Sequence, residues 1–174
     1  PSVNTTPTVS ISASPTNLVE EDGTLTTLTI NLGEPPPEGG INVTIDSDIP
    51  ESLAEFKVLE AIYNGAQLFG GNQDASGFTV TVTSQTATIQ LAPFDDDVDE
   101  GPENITYTLQ ASDDYIIDSA ANSITINIED NDAPTEPVVS FSATPTTISE
   151  AEGTALVMNF SVDGDIPPEG ITVK

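Results

Sequence analysis

The segment Leu25-Thr-Thr-Leu-Thr-Ile-Asn-Leu32 alternates apolar and polar side chains, and this alternation decides the fold. Successive side chains of a β-strand point to opposite faces, so the apolar residues from position 28 onward would share one face. Six other short segments rich in Thr, Val and Ile repeat the pattern. We predict those strands at Val9–Ala13, Ile41–Ile45, Phe78–Val82, Thr86–Phe94, Ile105–Leu109 and Ile124–Ile128.

Seven short strands separated by turn residues predict an all-β fold, a seven-stranded antiparallel β-sandwich of the immunoglobulin-like kind. The connection Thr83-Ser84-Gln85-Thr86 is tight, whereas residues 47–76 form a long excursion rich in Gly, Asn and Gln. The middle of this excursion, Leu53 to Leu68, is ambiguous between a short helix and an added strand. We leave it unassigned.

An internal repeat divides the chain. Shifting the sequence by 130 positions aligns residues 7–44 with residues 137–174, and 14 of these 38 pairs are identical. We therefore expect a linker at 1–6, a complete sandwich at 7–132, a linker at 133–136, and the N-terminal part of a second, truncated copy at 137–174. The strands of that second copy either belong to a longer tandem array or complete a neighbouring molecule, because they cannot bury their apolar faces alone.

The charge balance excludes several classes of function. Twenty-nine carboxylates against two lysines give a net charge of −27, which disfavours nucleic acids and anionic membranes as partners. No segment is apolar for about 18 residues, so direct membrane insertion is not expected. The absence of His and Cys removes the usual general bases, thiolate nucleophiles and zinc ligands, and we expect no enzyme. Oxygen ligands for hard cations remain.

The acidic residues are concentrated in connections that a regular up-and-down order brings to one rim. If each strand reverses the direction of the previous one, the loops after the first, third and fifth strands and the end of the seventh lie together. These segments contain Glu20, Glu21 and Asp22; Asp46, Asp48, Glu51 and Glu55; Asp95 to Glu103; and Asp130 and Asp132.

The third of these segments, Asp95-Asp-Asp-Val-Asp-Glu-Gly-Pro-Glu103, has six carboxylates in nine residues. Two like charges about 5 Å apart repel by roughly 3 kcal/mol at an effective dielectric constant of about 20. A bound cation would relieve this repulsion, and Ca²⁺ accepts six to eight oxygen ligands. We predict Ca²⁺ at the rim, with two or more ions bridged by shared carboxylates. A solvated acidic surface is the alternative.

The chain resembles the Calx-β domain family. The resemblance rests on Val19-Glu-Glu-Asp-Gly23, on the acidic segment 95–103, and on Ile128-Glu-Asp-Asn-Asp132. It implies a metal cluster held by side chains of all three motifs, by the backbone carbonyl of Val98, and by an acidic residue before the fourth strand, where Glu55 stands and Asp48 or Glu51 could substitute. The implied ligands are Glu20, Glu55, Asp95, Asp96, Val98, Glu100, Glu103, Asp130 and Asp132.

These observations together predict a calcium-binding structural or adhesive repeat in a long extracellular or cell-surface protein, most simply a bacterial one. Its expected partners are adjacent repeats of the same chain, other surface proteins or glycans. Two alternatives stay open. One is a calcium-sensing regulatory domain of a membrane transporter. The other is a fibre subunit in which residues 137–174 donate strands to another molecule.

Overall fold

A computed structural model describes most of the chain, in two compact units that comprise residues 1–132 and 133–174. No helix among the described residues is long and apolar enough to cross a membrane. The predicted linkers lie outside the described part of the chain, apart from residue 6. The structure describes residues 6–21, 23–132, 137–150, 153–164, 166 and 170–173.

The first unit is a sandwich of two sheets. The first sheet has the order β10-β1-β3-β8-β5, and its strands are β1 (Thr8–Ser14), β3 (Thr26–Leu32), β5 (Ile62–Asn64), β8 (Thr86–Leu91) and β10 (Ile116–Ile117). The second has the order β2-β11-β9-β4-β7-β6, and its strands are β2 (Asn17–Val19), β4 (Ile41–Asp46), β6 (Ala66–Gly71), β7 (Gly77–Val82), β9 (Glu103–Leu109) and β11 (Ser123–Glu129).

The predicted all-β sandwich is confirmed, and each of the seven predicted strands is present as β1, β3, β4, β7, β8, β9 or β11. Two short pairings depart from a purely antiparallel order, because β1 pairs with β10 and β2 with β11 in parallel. The unassigned stretch contains both proposed elements, a 3₁₀ turn at Val58–Glu60 followed by β5 and β6.

One continuous apolar core lies between the sheets, because inward residues alternate along the seven predicted strands. In β3 the three residues Leu28, Ile30 and Leu32 are at most 3% exposed, as the alternation predicts. Ile89 of the same sheet, and Val43 with most of the inward residues of the opposite sheet, join the same cluster. Complete burial of one such aliphatic side chain contributes about 1.5–3 kcal/mol, so the core holds the strand ends, and the loops between them, in fixed positions.

The described residues of the second unit form one antiparallel hairpin, β12 (Val138–Thr144) with β13 (Val157–Asp163). Its register reproduces that of β1 and β3 after the 130-residue shift, since Phe141 faces Phe160 where Ile11 faces Ile30. The two phenylalanine rings stack with centroids 6.0 Å apart, and both are more than half exposed.

Candidate metal centre

The segment after β2 is tied to the end of β11. The Glu20 N–H donates to the Glu129 carbonyl at 3.0 Å, and the Asn131 side-chain amide donates to the Glu20 carbonyl. These contacts continue the parallel pairing of β2 with β11 beyond both strands. They hold the backbone of Glu20 beside the acidic residues that follow β11.

Asp130 joins the end of β11 to the loop before β9. One of its carboxylate oxygens accepts the N–H groups of Glu100 and Gly101, at 2.6 and 2.8 Å. Its other oxygen accepts the N–H of Asp132 at 2.7 Å. These backbone donors, that of Asp132 first, hold the pKa of Asp130 below its usual value. Asp130 thus stays ionised and fixes the loop that carries Glu100.

The excursion between β4 and β7 contributes Glu55. Its carbonyl accepts the N–H of Phe94 at 2.9 Å, and the neighbouring Phe56 forms an isolated antiparallel bridge with Pro93. Phe56 is buried and anchors this segment in the core. The contacts bring Glu55 alongside the start of the 92–102 loop, although in sequence it lies about forty residues away.

Carboxylates from these segments converge on Glu20. One oxygen each from Glu20, Glu55 and Glu100 lie within 4.8 Å of one another, and so do oxygens from Glu20, Asp130 and Asp132. Oxygens that bind one Ca²⁺ at about 2.3–2.6 Å cannot be more than about 5 Å apart. Both groups meet that limit, and Glu20 belongs to both. The arrangement fits two neighbouring cations that share one carboxylate.

Burial and mutual repulsion raise the pKa of three carboxyl groups in the cluster. Glu20 is only 4% exposed, and burial together with the charges of Asp130 and Glu100 raises its pKa to about 7. Burial and the charge of Glu103 raise the pKa of Glu55 to about 7 as well. The pKa of Asp132 is raised by desolvation and by neighbouring aspartates. The ionised cluster therefore destabilises the fold when no cation is bound.

Two carboxylate oxygens support the same interpretation. Glu103 Oε2 and Asp132 Oδ2 are buried and have no hydrogen-bond partner among the described residues. An unpaired buried polar atom costs about 1–3 kcal/mol, and more when it is charged. Metal coordination would satisfy both atoms, and the all-oxygen donor set suits Ca²⁺.

The other implied ligands take less defined positions. Asp96 accepts the N–H of Val98 at 2.8 Å and contributes to the raised pKa of Glu20. Asp95 acts on the pKa of Asp132. The carbonyl of Val98 as a ligand stays a prediction. Asp22 lies outside the described residues.

The prediction that Asp46 lies on this rim is wrong. Asp46 pairs with Thr108, five residues along β9 from Glu103, which corresponds to roughly 16 Å along the strand. There its carboxylate accepts the Ser76 hydroxyl at 2.6 Å, and Asp74 lies 2.8 Å from the same hydroxyl. The up-and-down strand order determines which end of the sandwich a loop faces, but it does not bring every strand as far as the rim, and β4 ends short of it.

Two contacts that support the site were not predicted. The buried Tyr107 hydroxyl donates to the Ser52 carbonyl at 3.0 Å and so ties the segment that carries Glu55 to β9. The Asn131 amide holds the backbone of Glu20. No spacing or composition signal identifies either contact, because each joins segments that are more than fifty residues apart.

No protein-family profile matches the chain, and no curated protein matches it. Among solved structures, the bacterial hydrophobin BslA is similar with a TM-score of 0.41 and 9% identity, covering 72% of this chain and 99% of that one. The apo form of the Calx CBD1 domain is similar with a TM-score of 0.36 and 14% identity, covering 71% and 98%. Both similarities are too low to bear on function, so membership of the Calx-β family stays a prediction.

Proposed function

We propose that the first unit is a calcium-binding structural module of an extracellular or cell-surface protein, without catalytic activity. The observation that carries the proposal is the buried carboxylate of Glu20, which belongs to both oxygen clusters. Glu20, Glu55, Glu100, Asp130 and Asp132 would bind the ions directly. Asp95, Asp96, Glu103 and the Val98 carbonyl would complete their coordination. Bound calcium would neutralise the repulsion among these carboxylates.

The mechanical role follows from where the cluster lies in the chain. Asp130 and Asp132 directly follow β11, and the second unit begins at residue 133. Calcium held by these residues would restrict the backbone at the point where the chain leaves the first unit. Its removal would leave mutually repelling loops and a more mobile junction. Adjacent repeats are accordingly the first partners we propose.

Calcium titration of chelator-treated protein tests the proposal. A ligand that binds only the folded state adds about 4 kcal/mol of stability at a concentration a thousand times its Kd. We expect calorimetry to show at least two ions per chain, with a large rise in Tm, and magnesium at equal concentration to have a smaller effect. No bound calcium and an unchanged Tm would contradict the proposal.

The affinity separates the structural role from a sensor role. A Kd near millimolar fits a constitutive staple in calcium-rich surroundings, whereas a Kd near micromolar fits a regulatory domain that responds to changing calcium.

A second candidate function, strand donation to another molecule, is favoured by the exposed face of the β12–β13 hairpin. Phe141, Met158 and Phe160 are 53–68% exposed, whereas their counterparts Ile11, Leu28 and Ile30 are buried in the first unit. Light scattering over a concentration series tests it. Association that Phe160→Asp abolishes would support donation, and association that this variant leaves intact would exclude the hairpin.

A further inference from the structure

The first unit has one long open sheet edge. Strand β6, with six residues, pairs with β7 on one side and with no described strand on the other. The other outer strands of its two sheets, β2, β5 and β10, have three residues or fewer. An open edge presents unpaired N–H and C=O groups that can pair with another strand.

Apolar side chains accompany this edge. In β6, Leu68 is 46% exposed and Phe69 is 69% exposed, at a register irregularity between Leu68 and Gly70. Ile62 in β5 is 56% exposed. Gly65 alone joins β5 to β6, so the outer strands of the two sheets lie on the same flank of the sandwich. We call the residues of β5 and β6 the β5–β6 flank.

The glycine at this corner is required by its surroundings. Gly65 has φ +69, and a Cβ there would lie 2.8 Å from the Ser84 side chain and 2.9 Å from the Thr86 carbonyl. The backbone passes closely over the turn between β7 and β8. The flank is therefore held in place by β8, which pairs with β5, and by β7, which pairs with β6.

The charge distribution around the β5–β6 flank favours a second copy of this chain as its partner. No residue from 61 to 73 is charged, and the edge has neither the lysine nor the proline that commonly prevents strand pairing. A basic partner would be drawn to the acidic loops instead. Two chains of net charge −27 repel one another least where carboxylates are absent. A strand that pairs with its own copy in antiparallel orientation also forms a closed twofold contact.

We propose that the β5–β6 flank is a homodimer interface in which the β6 strands of two copies pair antiparallel and cover Leu68 and Phe69. The proposal does not depend on calcium binding. A dimer would join the second sheets of two molecules into one continuous sheet. The β6 strand that makes this contact contains no carboxylate.

Sedimentation equilibrium at physiological ionic strength, over a wide concentration range, tests the proposal. We expect a monomer–dimer equilibrium for the unmodified chain. Phe69→Asp should raise the dissociation constant of the dimer about tenfold or more. Ile116→Asp adds the same charge in β10, an outer strand of the first sheet, at a side chain that is also more than half exposed. This control variant should leave the dissociation constant of the dimer unchanged.

Two further measurements keep the outcome decisive. Phe160→Asp in the hairpin should not alter the dimer, and hydrogen exchange in the unmodified chain should show residues 66–71 becoming protected as concentration rises. A chain that stays monomeric, or association that Phe160→Asp abolishes and Phe69→Asp leaves intact, would overturn the proposal. So would concentration-independent exchange across β6.

Discussion

Replacing Glu20 with glutamine is expected to change stability in opposite directions with and without calcium. In the metal-free fold the pKa of Glu20 rises from its ordinary 4.5 to about 7. A raised carboxyl pKa means that the folded state binds the proton more tightly than the unfolded state. The associated stability is fully present below about pH 4.5 and is lost as the pH rises through about 7.

The magnitude follows from the size of this shift. One pKa unit corresponds to 1.36 kcal/mol, so the ionised Glu20 costs the metal-free fold on the order of 3 kcal/mol at pH 8. Glutamine has nearly the same shape and carries no charge. Glu20→Gln should therefore stabilise the metal-free protein by up to about 3 kcal/mol at pH 8 and have little effect at pH 4.

In saturating calcium the sign reverses, because the variant loses the carboxylate that belongs to both clusters. Each of the two ions adds about 4 kcal/mol to the unmodified protein at a thousand times its Kd. Together they exceed the roughly 3 kcal/mol that the variant gains at pH 8 without metal, and the variant, which lacks the shared ligand, binds both ions weakly. Urea unfolding at pH 8 and pH 4, each with calcium and with chelator, measures all four values. Glu21→Gln removes one charge from an exposed neighbour and is the matched control. The reasoning fails if Glu20→Gln destabilises the metal-free protein at pH 8, or if both variants respond equally to calcium.

Three other predictions concern pH, loop positioning and packing. Without calcium, unfolding free energy should fall between pH 5 and pH 8, because two carboxyls have a pKa raised to about 7; calcium should abolish the fall, and urea titrations at each pH measure it. Asp130→Asn should speed amide exchange at Glu100 and Gly101 and lower calcium affinity about tenfold, since its two oxygens accept three N–H groups; exchange mass spectrometry and calorimetry detect both effects. Tyr107→Phe should cost about 1–3 kcal/mol in calorimetric unfolding, because the Ser52 carbonyl loses its buried donor; an unchanged Tm would contradict that role.

The strands could be predicted because the core depends on alternation. Leu28, Ile30 and Leu32 are spaced by two residues and are buried, as expected for a strand with one face in the core. The segment that contains β5 and β6 could not be assigned, because its apolar residues do not alternate. In β6 only Ala66 is buried. Tertiary pairing with β7, rather than local pattern, makes it a strand.

The candidate site was predictable to the level of whole loops. Strand direction places the segments after β2, β8 and β11 at one end, and the resemblance to the Calx-β family suggests Glu20 and Glu55. Long-range contacts decide which carboxylates are close enough to bind the same ion. The hydrogen bond from the Glu20 N–H to the Glu129 carbonyl is one of them, and the sequence pattern does not predict it. Asp46 shows what strand direction alone does not predict, because β4 ends roughly 16 Å short of the rim, measured along β9.

The central claim is that Glu20 is shared between two calcium ions. Anomalous diffraction from crystals grown in calcium tests it most directly. We expect two peaks beside Glu20, each with carboxylate oxygens at about 2.3–2.6 Å, one near Glu55 and Glu100 and the other near Asp130 and Asp132. A map at saturating calcium with no peak within coordination distance of the Glu20 carboxylate would contradict the account.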